Sequence, residues 1–213
     1  MNKNLFLKEE LQAIENAVER VENCFAVELV PMFANQSSEY PIAKFYSLLV
    51  GLLSGYGLLV IANLSISFSW FPMYIQGLLW IIWALVCLVA AEIYAPLKRL
   101  LVGKSELFES SKKQAQYEYA KSGVNSNPDR MGIFLYLSFF ERKFHIVCDA
   151  KAAVIISQEQ WNTISKSLSN DMKLLKTSEA IIKCIDSCGE LFKKANLTSD
   201  NLPPSIVPND LRV

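Results

Sequence analysis

From Phe45 to Ala91 the chain carries no Asp, Glu, Lys, Arg or His. A helix of roughly 20 residues crosses a hydrocarbon layer about 30 Å thick, so this run is long enough for two crossings. The stretch Ser65-Ile-Ser-Phe-Ser-Trp-Phe-Pro72 interrupts it with three serines and a proline that suits the start of a helix but not its interior. The pattern therefore predicts one apolar helix over 45–64, a turn, and a second over 73–95. Two wholly buried helices of a water-soluble protein would not need so long an uncharged run.

The flanking segments alternate instead. Leu7, Leu11, Ile14, Val18 and Val21 recur at spacings of three and four, predicting an amphipathic helix with Glu9, Glu10, Glu15, Glu19 and Glu22 turned outward. Residues 24–33 read as a strand, edged or broken at Pro31. One helix and one strand cannot bury their apolar faces unaided, so this piece must pack on the segment after the apolar run.

Beyond that run, 105–121 is made of good helix formers and Gly123 suits its end. Residues 132–140 are apolar on both faces, as a strand covered by helices on each side would be. Glu141 and Arg142 make a turn, and 143–149 return as the hairpin partner. Ser157-Gln-Glu-Gln160 resembles a capping box opening a helix through Trp161, Ile164 and Leu168. Thr177 is expected to cap a last helix with Ile181, Cys184, Ile185, Cys188, Leu191, Phe192 and Ala195 on one stripe. The tail from Asn196, with three prolines, should be extended. The order implies an α/β fold: a three-layer domain with a small mixed sheet between helices, interrupted by a two-helix transmembrane hairpin. Its parts are 1–44, the hairpin 45–97, and 98–213.

Charge orients the hairpin. Lys44 precedes it, and Lys98, Arg99, Lys104, Lys112 and Lys113 come after it, while the connecting turn has no basic residue. Basic residues near membrane ends stay on the cytoplasmic side, so both termini are expected in the cytoplasm and 67–71 outside. Trp70, Phe71, Tyr74 and Trp80 would form the outer aromatic belt. Glu92 falls near the cytoplasmic end, whereas a transport carboxylate would sit deeper. The hairpin thus reads as an anchor. Ser47, Gly51 and Gly55 form a small-residue repeat that serves packing within the hairpin or against other membrane helices.

The remaining composition mainly excludes. The first 23 residues are charged and hold no apolar secretory segment. Net charge is zero, with no basic stripe interleaved with aromatics, so nucleic-acid binding is not indicated. Five cysteines are an odd number, and a cytoplasmic setting keeps them reduced. Cys184 and Cys188 read as small buried hydrophobes on an apolar stripe.

The acidic first helix, the strand with a central Glu28, the run Gly132-Ile-Phe-Leu-Tyr-Leu-Ser-Phe-Phe-Glu-Arg-Lys143 and the Asp149 ending the returning strand together resemble the TPM domain family. That family includes a plant thylakoid-lumen acid phosphatase, a photosystem II repair protein and a modulator of a nematode acetylcholine receptor. The resemblance is to its bacterial membrane branch, in which a transmembrane hairpin interrupts the domain. Ser138-Phe-Phe-Glu-Arg142, Asp149 and Trp161 match, while Asp200-Asn201-Leu202-Pro203 alters the acidic order of the tail motif. The resemblance implies a three-layer α/β fold in an inner (cytoplasmic) membrane, and function only loosely, because its members do different things.

Catalytic signatures are absent from the sequence: no Cys followed six positions later by Arg, no Asp-x-Asp, no Gly-x-Ser-x-Gly, no His-Glu-x-x-His. Gly103-Lys104-Ser105 mimics the end of a phosphate loop but lacks its upstream glycine. His145 is the only histidine and reads as structural. Glu28, mid-strand, calls for a partner if buried, with Arg142 and Lys143 as candidates. Asp149 ends a strand, a usual place for chemistry in α/β sheets. The family resemblance associates acidic loops near Asp129 with calcium or magnesium. Glu28 and Asp149 are thus the candidate catalytic residues, and Asp129 and Asp149 the candidate ligands for Ca2+ or Mg2+. The simpler reading, which we prefer, is that Glu28 pairs structurally and the two aspartates cap turns. Three functions stay open: a cytoplasm-facing interaction or scaffold module anchored in the bilayer, serving membrane-protein assembly or repair; a metal-assisted phosphatase; or a structural partner of other membrane helices.

Overall fold

The computed structural model describes residues 6–64, 72–124, 131–174, 176–195 and 197. Its elements are α1 (Lys8–Cys24), β1 (Val27–Ala34), α2 (Pro41–Leu64), α3 (Met73–Ile93), α4 (Ala95–Leu101), α5 (Lys104–Ser122), β2 (Met131–Ser138), β3 (Lys143–Cys148), α6 (Ala150–Ile155), α7 (Gln158–Leu174) and α8 (Thr177–Lys194). The chain forms two compact units, one from Met1–Ser37 with Ser110–Val213 and one from Ser38–Glu109.

The first unit is an α/β domain with a mixed three-stranded sheet, in the order β1-β2-β3. β1 runs parallel to β2 and β3 antiparallel to it. All eight residues of β2 are buried, as its two-faced apolar run requires of a central strand. Ile133, Leu135 and Leu137 face a core shared with Ile14, Val18 and Val21 of α1, Trp161 and Leu168 of α7, and Ile185 and Phe192 of α8. Phe134 and Tyr136 face the other way, against Val30, Ala115 and Val124. Pro31 does not break β1. Its missing N–H is tolerated because β1 is an edge strand.

Several local expectations are corrected. Leu7 is 70% exposed, and Phe6 instead fills the core beside Phe33 and Phe139. Glu22 is buried rather than solvated. Its Oε1 accepts the Leu29 N–H at 2.8 Å, satisfying a backbone donor of the edge strand. α4 and α6 are additional helices. Lys176, not Thr177, stands at the start of α8, without a side-chain cap. Ser157 and Gln160 do form the reciprocal capping bonds, at 2.8 and 3.4 Å. The expected outer turn with Trp70 and Phe71, and the tail beyond residue 197, lie outside the described residues.

The second unit is built on α2 and α3, each long and apolar enough to cross a membrane by length and composition. Ser47, Gly51 and Gly55 line the face of α2 against α3: a Cβ on Gly51 would meet the Ala84 Cα at 2.9 Å, and one on Gly55 the Trp80 ring at 2.7 Å. The small-residue repeat is therefore used within the hairpin. Trp80, expected in the outer aromatic belt, donates its Nε1 to the Leu52 carbonyl of α2 at 2.8 Å.

Candidate functional site

The sheet presents its polar groups at two ends. At the first, β2 begins at Met131 and Gly132, with Glu28 opposite Gly132 on β1. Glu28 is fully buried on the face of β1 that it shares with Val30 and Met32. The expected pairing with Arg142 or Lys143 is ruled out by register. Lys143 stands opposite Ser138, six residues along β2 from Gly132, or about 20 Å at the rise of a strand.

Asp149 flanks Gly132 from the other side. Its Oδ2 accepts the Gly132 N–H at 3.0 Å and its Oδ1 the Ala152 N–H at 2.8 Å, while its own N–H donates to the Gly132 carbonyl at 3.0 Å. Both oxygens thus serve backbone donors, one extending the β2–β3 ladder and one capping α6. Gly132 separates the two acids, and Val124 occupies the space above it: a Cβ there would lie 2.7 Å from the Val124 Cγ1. Asp129 falls outside the described residues. Among the described residues no group of three or more His, Cys, Asp or Glu is placed to hold a metal ion. Burial, then the nearby Asp149 charge, pushes the Tyr119 hydroxyl above the usual tyrosine range.

We expect Asp149→Ala to lower the stability of the domain by about 1 kcal/mol, the usual cost of losing a helix cap, as read from urea denaturation. Millimolar Ca2+ or Mg2+ should leave the melting temperature of the wild-type protein unchanged. A metal-dependent rise that Asp149→Asn abolishes would instead make this carboxylate a cation ligand.

The second end lies at the β2–β3 turn, where the sequence suggests only a turn. The Ser37 hydroxyl lies 2.9 Å from the Tyr136 hydroxyl and donates to the Ser138 Oγ at 3.1 Å. The Ser138 hydroxyl donates to Glu141, which also accepts the Ser37 N–H at 2.8 Å. Tyr136, Ser138 and Glu141 are buried, and burial pushes the Tyr136 hydroxyl up to about 12. Two residues on one face of an otherwise apolar strand, Tyr136 and Ser138, are the signal in the sequence for this network. Arg142 takes up the turn with φ 52°, a left-handed conformation uncommon outside glycine.

On the same face, His145 pairs with Tyr136 in the β2–β3 register, and its Nε2 lies 2.8 Å from the Ser111 Oγ. A serine bonded to a histidine suggests nucleophilic catalysis, but Ser111 is 0% exposed, so no substrate reaches its oxygen. The pair has a structural consequence instead. Ser37 is the last residue of the α/β unit before the inserted segment, and Ser111 stands where the chain re-enters it. The two ends of the insertion are therefore pinned to neighbouring sheet residues, Tyr136 and His145.

Two of the five cysteines behave as apolar side chains. Cys184 and Cys188 are buried. The hydrogen bond with Cys184, reinforced by burial, holds the Cys188 thiol well above the usual range, opposite to what a reactive or metal-binding thiolate requires.

No protein-family model matches the chain, and no curated protein matches it. Among solved structures it is similar to the BA42 protein from the psychrophilic bacterium Bizionia argentinensis, determined by NMR, with a TM-score of 0.59 and 12% identity, covering 100% of this chain and 97% of that one. At that identity the likeness is one of fold.

Proposed function

We propose that this chain is an integral membrane protein whose TPM-like α/β domain faces the cytoplasm and serves as an interaction or scaffold module, held at the bilayer by the α2–α3 hairpin. The observation that carries the anchoring is the exposure of that hairpin. Most of α2 and α3 is not buried within the protein, and Leu53, Ile61 and Leu78 are more than half exposed. Apolar core helices of a water-soluble domain bury such side chains, and a bilayer supplies the missing apolar surroundings. Basic residues at one end only set the orientation.

The TPM-like reading draws on several short motifs, among them Ser138-Phe-Phe-Glu-Arg142. Ser138 and Glu141 have a physical reason to occur together, since the serine hydroxyl donates to the carboxylate beside the insertion point. The interaction reading is favoured over the phosphatase because Asp149 is engaged by two backbone N–H groups and Ser111 is enclosed. The third reading, a partner for other membrane helices, loses its main support because α3 already covers the small-residue face of α2.

Orientation is tested by cysteine labelling. Ser67→Cys should react with an impermeant maleimide in intact cells, and Lys113→Cys should react only after permeabilisation. Lys113 is the suitable inner site because it is exposed, whereas Ser111 is buried. The opposite pattern, or recovery of the protein in the carbonate-soluble fraction, would overturn the placement. Hydrolysis of a generic phosphoester that disappears on Asp149→Asn would favour the phosphatase.

A further inference from the structure

α4 has its polarity reversed for a helix in water. Tyr94, at its N-cap, and Leu97 and Leu100 recur at a spacing of three and are 63%, 39% and 81% exposed, whereas Lys98 is only 8% exposed. A helix on a soluble surface turns its lysine out and its leucines in. The inward lysine has a specific reason. Its Nζ lies 3.5 Å from one carboxylate oxygen of Glu92, whose other oxygen lies 3.2 Å from the Lys44 Nζ. Glu92, near the end of α3, thus joins the first turn of α2 to the middle of α4.

That ionic group also marks a depth. No charged residue or histidine lies between 44 and 92, so Lys44 and Glu92 stand at the edge of the apolar hairpin. Aromatic side chains adjoin it, Tyr46 on α2 and Tyr94 after α3, both exposed, where an interfacial belt would place them. Tyr94 breaks α3 with extended backbone angles (φ −95°, ψ 95°), and α4 restarts one residue later with proline in its first turn. A helix that begins at headgroup depth, leaves the line of α3 and exposes leucines has one surface continuous with it, the phospholipid interface.

We propose that α4 lies in the headgroup layer of the cytoplasmic leaflet, with Tyr94, Leu97 and Leu100 inserted at the acyl boundary and Lys98 held inward by Glu92. The occupant of its apolar face is the bilayer itself. This rests on α2 and α3 spanning the membrane. The burial of the leucines supplies the attraction, and the Lys98–Glu92 pair fixes which face is presented.

The test uses the full chain in phosphatidylcholine vesicles, carrying a nitroxide at Leu100→Cys, with Leu85→Cys on α3 and Lys104→Cys as references. Cys24, Cys87 and Cys148 are replaced by alanine, so that only the buried Cys184 and Cys188 remain. Collision rates with oxygen and with a water-soluble nickel chelate are compared by electron paramagnetic resonance. The oxygen-to-nickel ratio at position 100 should be several-fold higher than at 104 and below that at 85. A ratio at 100 equal to that at 104 would place the leucine in water and overturn the proposal. A label at 100 shielded from both reagents would mean that protein covers α4, and would overturn it equally. If position 85 is as open to nickel as 104, the membrane reading itself fails and the inference falls with it.

Discussion

The fragment 105–213, cut off from the residues before the hairpin, should not fold: expressed alone it should aggregate, or give a circular dichroism melt without a cooperative transition. The missing piece supplies α1 and β1. Ile14, Val18, Val21, Val27, Leu29 and Phe33 are buried in the principal core against α8 and β2. At about 1.5–3 kcal/mol for each large apolar side chain, their loss is on the order of 10 kcal/mol, as large as the whole net stability of a typical domain. It would also strip β2 of its parallel partner along eight residues, leaving a bare apolar strand edge. The complementary molecule should behave oppositely. Joining residues 1–37 to 110–213 through a flexible linker of about eight residues, with reach up to roughly 25 Å, should give a soluble domain that melts cooperatively. The reason lies in Tyr136 and His145, which hold Ser37 and Ser111 on neighbouring sheet positions. A cooperative, monomeric 105–213 fragment would show that the N-terminal piece is dispensable.

Much of this architecture is legible in the sequence because it rests on periodicity. The uncharged run fixes α2 and α3, the two-faced apolar run fixes β2 as a covered strand, and the stripe through Ile181, Ile185 and Phe192 fixes α8. The hidden features depend on partners distant along the chain. Glu22 stands next to Val21 at the margin of the α1 stripe, and only the unpaired donor of Leu29 draws it inward. Glu28 and Arg142 look like a reasonable pair until the parallel register sets them at opposite ends of the sheet. The Ser37 network joins residues about a hundred positions apart, which no local pattern reveals. Asp149 is the instructive case. An acid at the end of a strand suggests chemistry, but Ala-Lys-Ala-Ala after it are helix formers, and the same acid reads equally as a helix cap. The carboxylates are thus visible in the sequence, and their roles are set by backbone N–H groups that it does not display.

Gly132→Ala should be the most damaging single-methyl change in the α/β unit. Gly132 does not take left-handed angles, so its constraint is space and not backbone conformation. A Cβ there would sit 2.7 Å from the Val124 Cγ1, 2.8 Å from the Val124 carbonyl oxygen and 3.1 Å from its carbonyl carbon. A side-chain methyl can rotate away, but the carbonyl cannot move without shifting the residues after α5. Overpacking of this kind costs about 1–3 kcal/mol, and we place this case at the upper end because backbone is involved. Displacing Gly132 would also loosen its two hydrogen bonds with Asp149, and with them the cap of α6. Urea denaturation of Gly132→Ala, Val124→Ala and the double variant separates the contributions. The double variant should recover only part of the loss, since it removes the Cγ1 contact and leaves the carbonyl in place. Gly103→Ala, where a Cβ would meet nothing within 4 Å, is the control and should change stability by less than about 0.5 kcal/mol. Full recovery in the double variant would show that the side chain of Val124 alone keeps position 132 a glycine, and a neutral Gly132→Ala would show that Val124 yields as a whole.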